Sequence, residues 1–215
     1  MDLEFLIKIL PILLKGSIMT VQLTVLSVFI GSVIGIIFAL MKISNNVFIS
    51  KIATFYTWIF RGTPLLLQLF VFYYGLPVVG IKLEPFSAAL LGLSLNSGAY
   101  MAEIIRGGII SINKGQFEAC KAMGFTYFQT MKRVILPQTF KNIIPAVGNE
   151  FITILKDTSL VQAIAMEELM RSAQLRVSAT GRPWEPYLVA GCLYLFMTTI
   201  FTVIFSGIEK KLSVY

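Results

Sequence analysis

The sequence has 215 residues, of which 56% are hydrophobic and only 13% are charged. A soluble domain carries about 25% charged residues, so the composition excludes an ordinary water-soluble domain and points to one integral membrane domain of several helices. The net charge is +7 and there is no His. That removes the commonest general base and transition-metal ligand, and in so apolar a chain the positive excess fits cytoplasmic loops better than nucleic-acid binding.

The chain opens MDLEFLIKILPILLKGS. Asp2 and Glu4 stand where a signal peptide is basic, and Lys8, Pro11 and Lys15 break the apolar run. Such a segment is a poor signal peptide; a short helix over residues 3–14, near the membrane surface, is expected instead. A transmembrane helix needs about 20 apolar residues. By that measure spans are expected at about 17–41, 53–76, 86–109, 139–163 and 186–208. The first contains Gly31-Ser-Val-Ile-Gly35, a small-xxx-small spacing that permits close helix approach but is common by chance. The fourth is the least clean, since it holds Pro145, Glu150, Lys156 and Asp157. Cys120 and Cys192 match no disulfide framework or metal spacing and read as packing residues.

Five spans put the termini on opposite sides. One set of loops carries Lys42, Lys51, Lys114, Lys121, Lys132, Arg133, Lys141, Lys210 and Lys211. The other set balances Lys82, Arg171, Arg176 and Arg182 against Glu84, Glu167, Glu168 and Glu185. Basic loops stay cytoplasmic, so the N-terminus is expected outside and the C-terminus inside.

Residues 113–131 are too polar to span and too apolar for a disordered linker. Glu118 and Lys121 are spaced for one helix turn. Phe117, Lys121, Gly124, Phe128 and Met131 fall near one helical face. Gly124 suits a helix end and Pro137 suits the first turn of the next helix. A short helix, a glycine turn, a second short helix and re-entry to the membrane are expected. From physics alone the segment reads either as an amphipathic connector on lipid headgroups or as a knob that fits a cytoplasmic partner.

Glu118-Ala119-Cys120, Gly124 and Val134-Ile135-Leu136-Pro137 resemble the EAA loop of ABC-importer permeases. The match holds at Glu118, Ala119, Gly124, Leu136 and Pro137; Cys120 replaces the second Ala of that pattern and Val134 an Ile. Phe60-Arg61-Gly62-Thr63-Pro64-Leu65-Leu66, Ser97-Gly98-Ala99-Tyr100-Met101-Ala102-Glu103 and Lys156-Asp157-Thr158-Ser159-Leu160 resemble signatures of the permeases for polar amino acids, the histidine/glutamine/arginine group. The resemblance runs from about residue 15 to 211.

It implies an all-α membrane protein of the type I ABC importer permease fold. The cytoplasmic coupling helix would lie in a loop at about 111–131 and fit the ATPase subunit. The implied partners are an ATPase dimer that binds ATP and Mg, an extracytoplasmic solute-binding protein, and a second permease copy, identical rather than related. Membrane lipid and an amino-acid substrate complete the set. No G-x-x-x-x-G-K-[ST] loop occurs in this sequence, so the chain cannot supply an ATPase by that route, and no cofactor is expected in it. The implied place is the bacterial cytoplasmic membrane.

Ionisable residues inside a bilayer are costly and default to functional hypotheses. Arg61 reads as a snorkelling residue or a structural ion pair. Glu103 and Arg106 read first as a local pair, with Glu103 also a candidate at the pathway. Glu150 lies about eleven residues into the fourth span, near mid-membrane at ~1.5 Å per residue. With Asp157 and Asn96 it is expected to contact the cationic end of a basic amino acid (arginine, lysine or histidine); structural helix pairing is the competing reading. An ion-coupled secondary transporter using Glu150 or Asp157 is the alternative function. A membrane enzyme is disfavoured, since isolated Ser, Cys and Glu residues make no catalytic constellation.

Overall fold

In the computed structural model, which describes residues 3–213, Leu3–Lys42 form one helix, α1. Asp2 lies outside the described residues. The separate surface helix expected over 3–14 is therefore corrected: those residues are the first turns of α1. Pro11 removes its own N–H donation and crowds the carbonyl four residues back. Ile9 and Leu13 are buried, and a Cβ at Gly16 would come within 2.9 Å of Leu169 Cα. Packing on a neighbouring helix therefore holds this segment in line with the rest of α1.

The second expected span is broken. α2 (Val47–Gly62) and a run beginning with α3 (Leu65–Phe70) meet at an angle of 103°. α4 (Pro85–Ile110) covers the third expected span. α5 (Lys114–Ala122) and α6 (Tyr127–Thr130) flank a turn at Gly124, which takes φ +75°. Phe125 N–H donates to the Cys120 carbonyl and Gly124 N–H to the Lys121 carbonyl. This is the glycine-dependent Schellman closure. Thr126 and Gln129 then cap α6 reciprocally, as a capping box does. The turn at Gly124 divides the face expected to run from Phe117 to Met131.

α7 (Leu136–Asp157) follows α6 through a π turn over Met131–Ile135. The other π turn, Val71–Gly75, has the same neighbour: each is followed by Leu-Pro, at Leu76-Pro77 and Leu136-Pro137. A proline leaves the carbonyl four residues back without its donor, and widening the helix by one residue accommodates that loss. α7 ends in a 3-10 segment, Thr158–Ile164.

No element is expected from sequence between the last two spans, yet α8 (Leu169–Thr180) forms there, followed by α9 (Trp184–Ser213). Glu168 explains its place. Its buried carboxylate caps Arg171 N–H at 2.8 Å and accepts from Thr20 Oγ1 at 3.2 Å and Tyr194 Oη at 2.7 Å. One side chain thus ties α8 to α1 and α9.

The pairing of α1 with α4 is the most extensive between helices; α7 packs against α4 and α9. Among the described residues, Glu4–Lys42, Pro85–Ile110 and Trp184–Leu212 are long and apolar enough to cross a membrane, and the bent pair of α2 with the run to Val79 makes a fourth. α7 is long enough but carries Lys141, Glu150, Lys156 and Asp157.

Candidate functional site: a polar cleft at the helix break

The break between α2 and α3 creates the site. Pro64 has no N–H to donate to the Phe60 carbonyl, and the bend strands the Thr63 carbonyl as well. Two amides repair this. Gln68 Nε2 donates to Phe60 O at 2.9 Å, Thr63 O at 3.1 Å and Thr63 Oγ1 at 2.9 Å. Asn96 Nδ2, reaching from α4, donates to Phe60 O and to Gln68 Oε1, both at 3.1 Å. Gln68→Leu is expected to leave these acceptors short of a donor and to cost about 1–3 kcal/mol, read as a lowered midpoint of thermal unfolding in detergent; an unchanged midpoint would show that the bend does not depend on the amide.

Beside the break lies a cleft of ≈ 430 Å³ whose polar lining is Thr63, Asn96, Tyr100, Glu150, Thr153 and Asp157. Small-ligand sites run from ~300 to 1,000 Å³. Three elements supply this wall. Asn96 and Tyr100 are spaced i,i+4 on α4; Glu150, Thr153 and Asp157 are spaced i,i+3,i+7 on α7, and each set therefore shares a helix face. Glu150 is 8% exposed, and its Oε1 has no hydrogen-bond partner. Ser97 Oγ, on α4, is likewise buried without a partner, and it stands near enough to the Glu150 carboxylate to serve as its donor. Glu150 is the only carboxylate so placed among the described residues. A carboxylate oxygen in that condition is costly unless a ligand, a water or a partner chain supplies a donor.

The cleft thus brings together Asn96, Glu150 and Asp157, three of the residues singled out from sequence. Glu103 stands apart from them. It follows Asn96 by seven residues, ~10 Å along the helix axis, and sits in an ion cluster. Lys42 Nζ donates to Glu103 Oε1 and, at 2.8 Å, to Thr57 Oγ1. Arg106 donates to Glu103 Oε2 through Nε at 3.0 Å and Nη2 at 2.8 Å. The expected local pair with Arg106 is present, and Glu103 does not line the cleft. Thr63 and Tyr100 fall within the quoted signatures but, like Thr153, are not among the expected site residues; Tyr100 and Thr153 follow from helical spacing once Asn96 and Glu150 are chosen.

The second group of sequence candidates is on another surface. Glu118, Ala119, Gly124, Leu136 and Pro137 are all exposed. On the opposite side of the same segment, Cys120 is buried, and Phe117 packs on a small core of Ile109, Ile112, Met131 and Ile135.

A family model described as the inner membrane component of binding-protein-dependent transport systems matches residues 31–214. The chain belongs to this family of transport permeases. The permease is 45% identical over 215 residues to the arginine transport system permease protein ArtQ of Bacillus subtilis, covering 99% of this chain and 98% of the relative. It is 42% identical over 215 residues to the putative glutamine transport system permease protein GlnP of Rickettsia bellii, covering 98% and 99%. A crystal structure of an amino acid ABC transporter with histidines superposes on the permease with a TM-score of 0.93 at 42% identity, covering 98% of this chain and 99% of that one. The permease therefore has the type I ABC importer permease fold and is a multi-pass inner-membrane protein of amino-acid transport.

Proposed function

We propose that the permease forms the translocation path of an ATP-driven importer of basic amino acids, with Glu150 and Asp157 receiving the cationic side chain and Asn96 at the wall. The observation that carries this reading is the buried Glu150 oxygen with no partner, opening on a cleft that holds a second carboxylate. An ammonium or guanidinium supplies the missing donor and the neutralising charge. The B. subtilis relative named for arginine transport supports the same side-chain class. Glutamine is the second reading: the R. bellii relative is named for it, and an amide could bond to Asn96 or Thr153 without a charge.

In this reading the exposed face at Glu118, Ala119, Gly124, Leu136 and Pro137 docks on a separate ATPase subunit. The N-terminus is outside, five spans cross the membrane, and two identical permeases pair. A solute-binding protein delivers the amino acid, ATP binding draws the coupling segments together and opens the cleft outward, and hydrolysis resets it toward the cytoplasm. The permease performs no bond chemistry. An ion-coupled transporter is not favoured, given the family match.

The test is ATPase activity of the assembled transporter in liposomes, with binding protein and arginine, lysine, histidine, glutamine or glutamate in turn. Stimulation by the basic three alone is the expected result. Stimulation by glutamine or glutamate alone would overturn the cationic site while keeping the importer. Uptake driven by an ion gradient without the ATPase would overturn the importer.

A further inference from the structure

Arg61 is a cation beside the cleft with hydrogen-bonding capacity to spare; Lys156, the chain neighbour of Asp157, is a second charge there. Arg61 occupies the last turn of α2, two residues before Thr63 of the cleft wall. Its guanidinium lies 5.3 Å over the ring of Tyr100, which lines the cleft. The nearest anion is Glu103 Oε2, at 4.0 Å from Nη1, too far for a hydrogen bond. Glu103 is already held by Lys42 and by two nitrogens of Arg106, so the cluster sets three cations against one carboxylate. Among the described residues no group accepts a hydrogen bond from Arg61, and its side chain is 43% exposed. Its charge is close enough to act on Glu150.

The cleft is therefore bipolar. Two carboxylates, Glu150 and Asp157, belong to it, and a guanidinium with free donors stands at its rim on an aromatic platform. That layout suits a molecule with charge of both signs at its two ends. We propose that Arg61 receives the α-carboxylate of the transported amino acid, while the side chain is directed toward Glu150 and Asp157. The proposal rests on the cleft being the amino-acid site. It makes Arg61 a determinant of the common end of every substrate, and leaves side-chain choice to α7. Its planar fork matches a carboxylate in two parallel hydrogen bonds, and Tyr100 fixes the plane of that fork. Moving Arg61 a short way from Glu103 costs the cluster little, since Lys42 and Arg106 remain.

The experiment compares L-arginine with agmatine, which is arginine without its carboxylate. Binding of each is measured to the purified permease–ATPase complex in detergent, without the binding protein. Arg61→Gln is expected to weaken L-arginine about tenfold or more and to leave agmatine unchanged or tighter. Arg61→Lys, which keeps the charge and loses the fork, is expected to fall between. Equal weakening of both ligands would show that Arg61 acts through the fold or the ion cluster and would overturn the proposal, as would unchanged L-arginine binding. Wild-type complex that binds glutamine but not arginine would overturn only the basic side-chain reading; the same comparison then runs with glutamine and its decarboxylated analogue. Wild-type complex that binds no amino acid would overturn the cleft as the site, and this proposal with it.

Discussion

Glu150→Gln is expected to raise the half-saturating arginine concentration of the transporter by about 10- to 100-fold, the equivalent of the 1.5–3 kcal/mol of a charge-assisted hydrogen bond. The substitution keeps the shape of the side chain and its place on α7. It removes the charge, and it puts an N–H₂ group where an acceptor stood. The oxygen concerned, Oε1, is buried and makes no hydrogen bond, with the neutral Ser97 hydroxyl as a nearby donor from the chain, so the wild-type residue is most comfortable when a cation arrives. The variant should therefore lose arginine and lysine more than glutamine. The measurement is the ratio of half-saturating concentrations for the two classes, taken from stimulated ATPase activity or from uptake. A ratio that stays at the wild-type value would show that Glu150 pairs with another helix or subunit and does not read substrate. Asp157 shares the cleft, so some preference for cations should survive, and the double substitution should remove it.

The helices themselves were legible wherever the signal is local. Uncharged runs at 86–102 and 186–208 lie on α4 and α9, because length and apolarity are properties of a single segment. The glycine turn between α5 and α6 was legible for the same reason: Gly124 takes a positive φ, and the spacing to Pro137 marks the helix that follows. The break in the second span was not. Residues 62–81 hold no charge and read as one run, whereas Thr63-Pro64 bends it by 103°. Pro64 was visible; what was not visible is that Asn96, thirty-two residues away, supplies a donor to the carbonyl it strands. α8 was missed because its apolar face is short and its anchor, Glu168, reads as an outer-loop charge until Thr20 and Tyr194 are seen to hold it. The cleft shows both cases at once. Glu150 and Asp157 stood out as charges within an apolar span, and both line it. Glu103 stood out by the same criterion and belongs to the ion cluster, because Lys42, which bonds to it, comes from another helix.

The small-xxx-small spacing at Gly31 and Gly35 is weak as a sequence signal, yet its expected effect on the fold is large. A Cβ at Gly35 would lie 2.5 Å from Met101 Cβ and 3.1 Å from Ala102 N, and one at Gly31 would lie 2.9 Å from Ser97 Cβ. These are the positions at which α1 approaches α4, in the most extensive helix pairing of the chain. At Gly35 a backbone atom is among the neighbours, and no rotamer change moves it away. Lipid gives the two helices no hydrophobic reason to associate, so close van der Waals contact carries the pairing. Gly35→Leu must separate the backbones, and overpacking of this kind costs at least the 1–3 kcal/mol typical of a well-packed interior. The expected result is loss of folded permease from the membrane fraction and no assembly with the ATPase. Gly107→Leu is the control, since a Cβ there meets nothing within 4 Å, and it should accumulate and assemble as the wild type does. Each variant puts the same side chain in place of a glycine within a helix, so a difference between them isolates the α1–α4 contact from any general effect of the substitution. If Gly35→Leu accumulated as well as Gly107→Leu, the closeness of α1 to α4 would not be what holds the cleft's walls in place. Ser97, which packs on Gly31, follows Asn96 of the cleft by a single residue on α4. Displacing α4 from α1 therefore moves the wall opposite Glu150, and a milder change at the same seam, Gly31→Ala, should lower arginine affinity before it lowers yield.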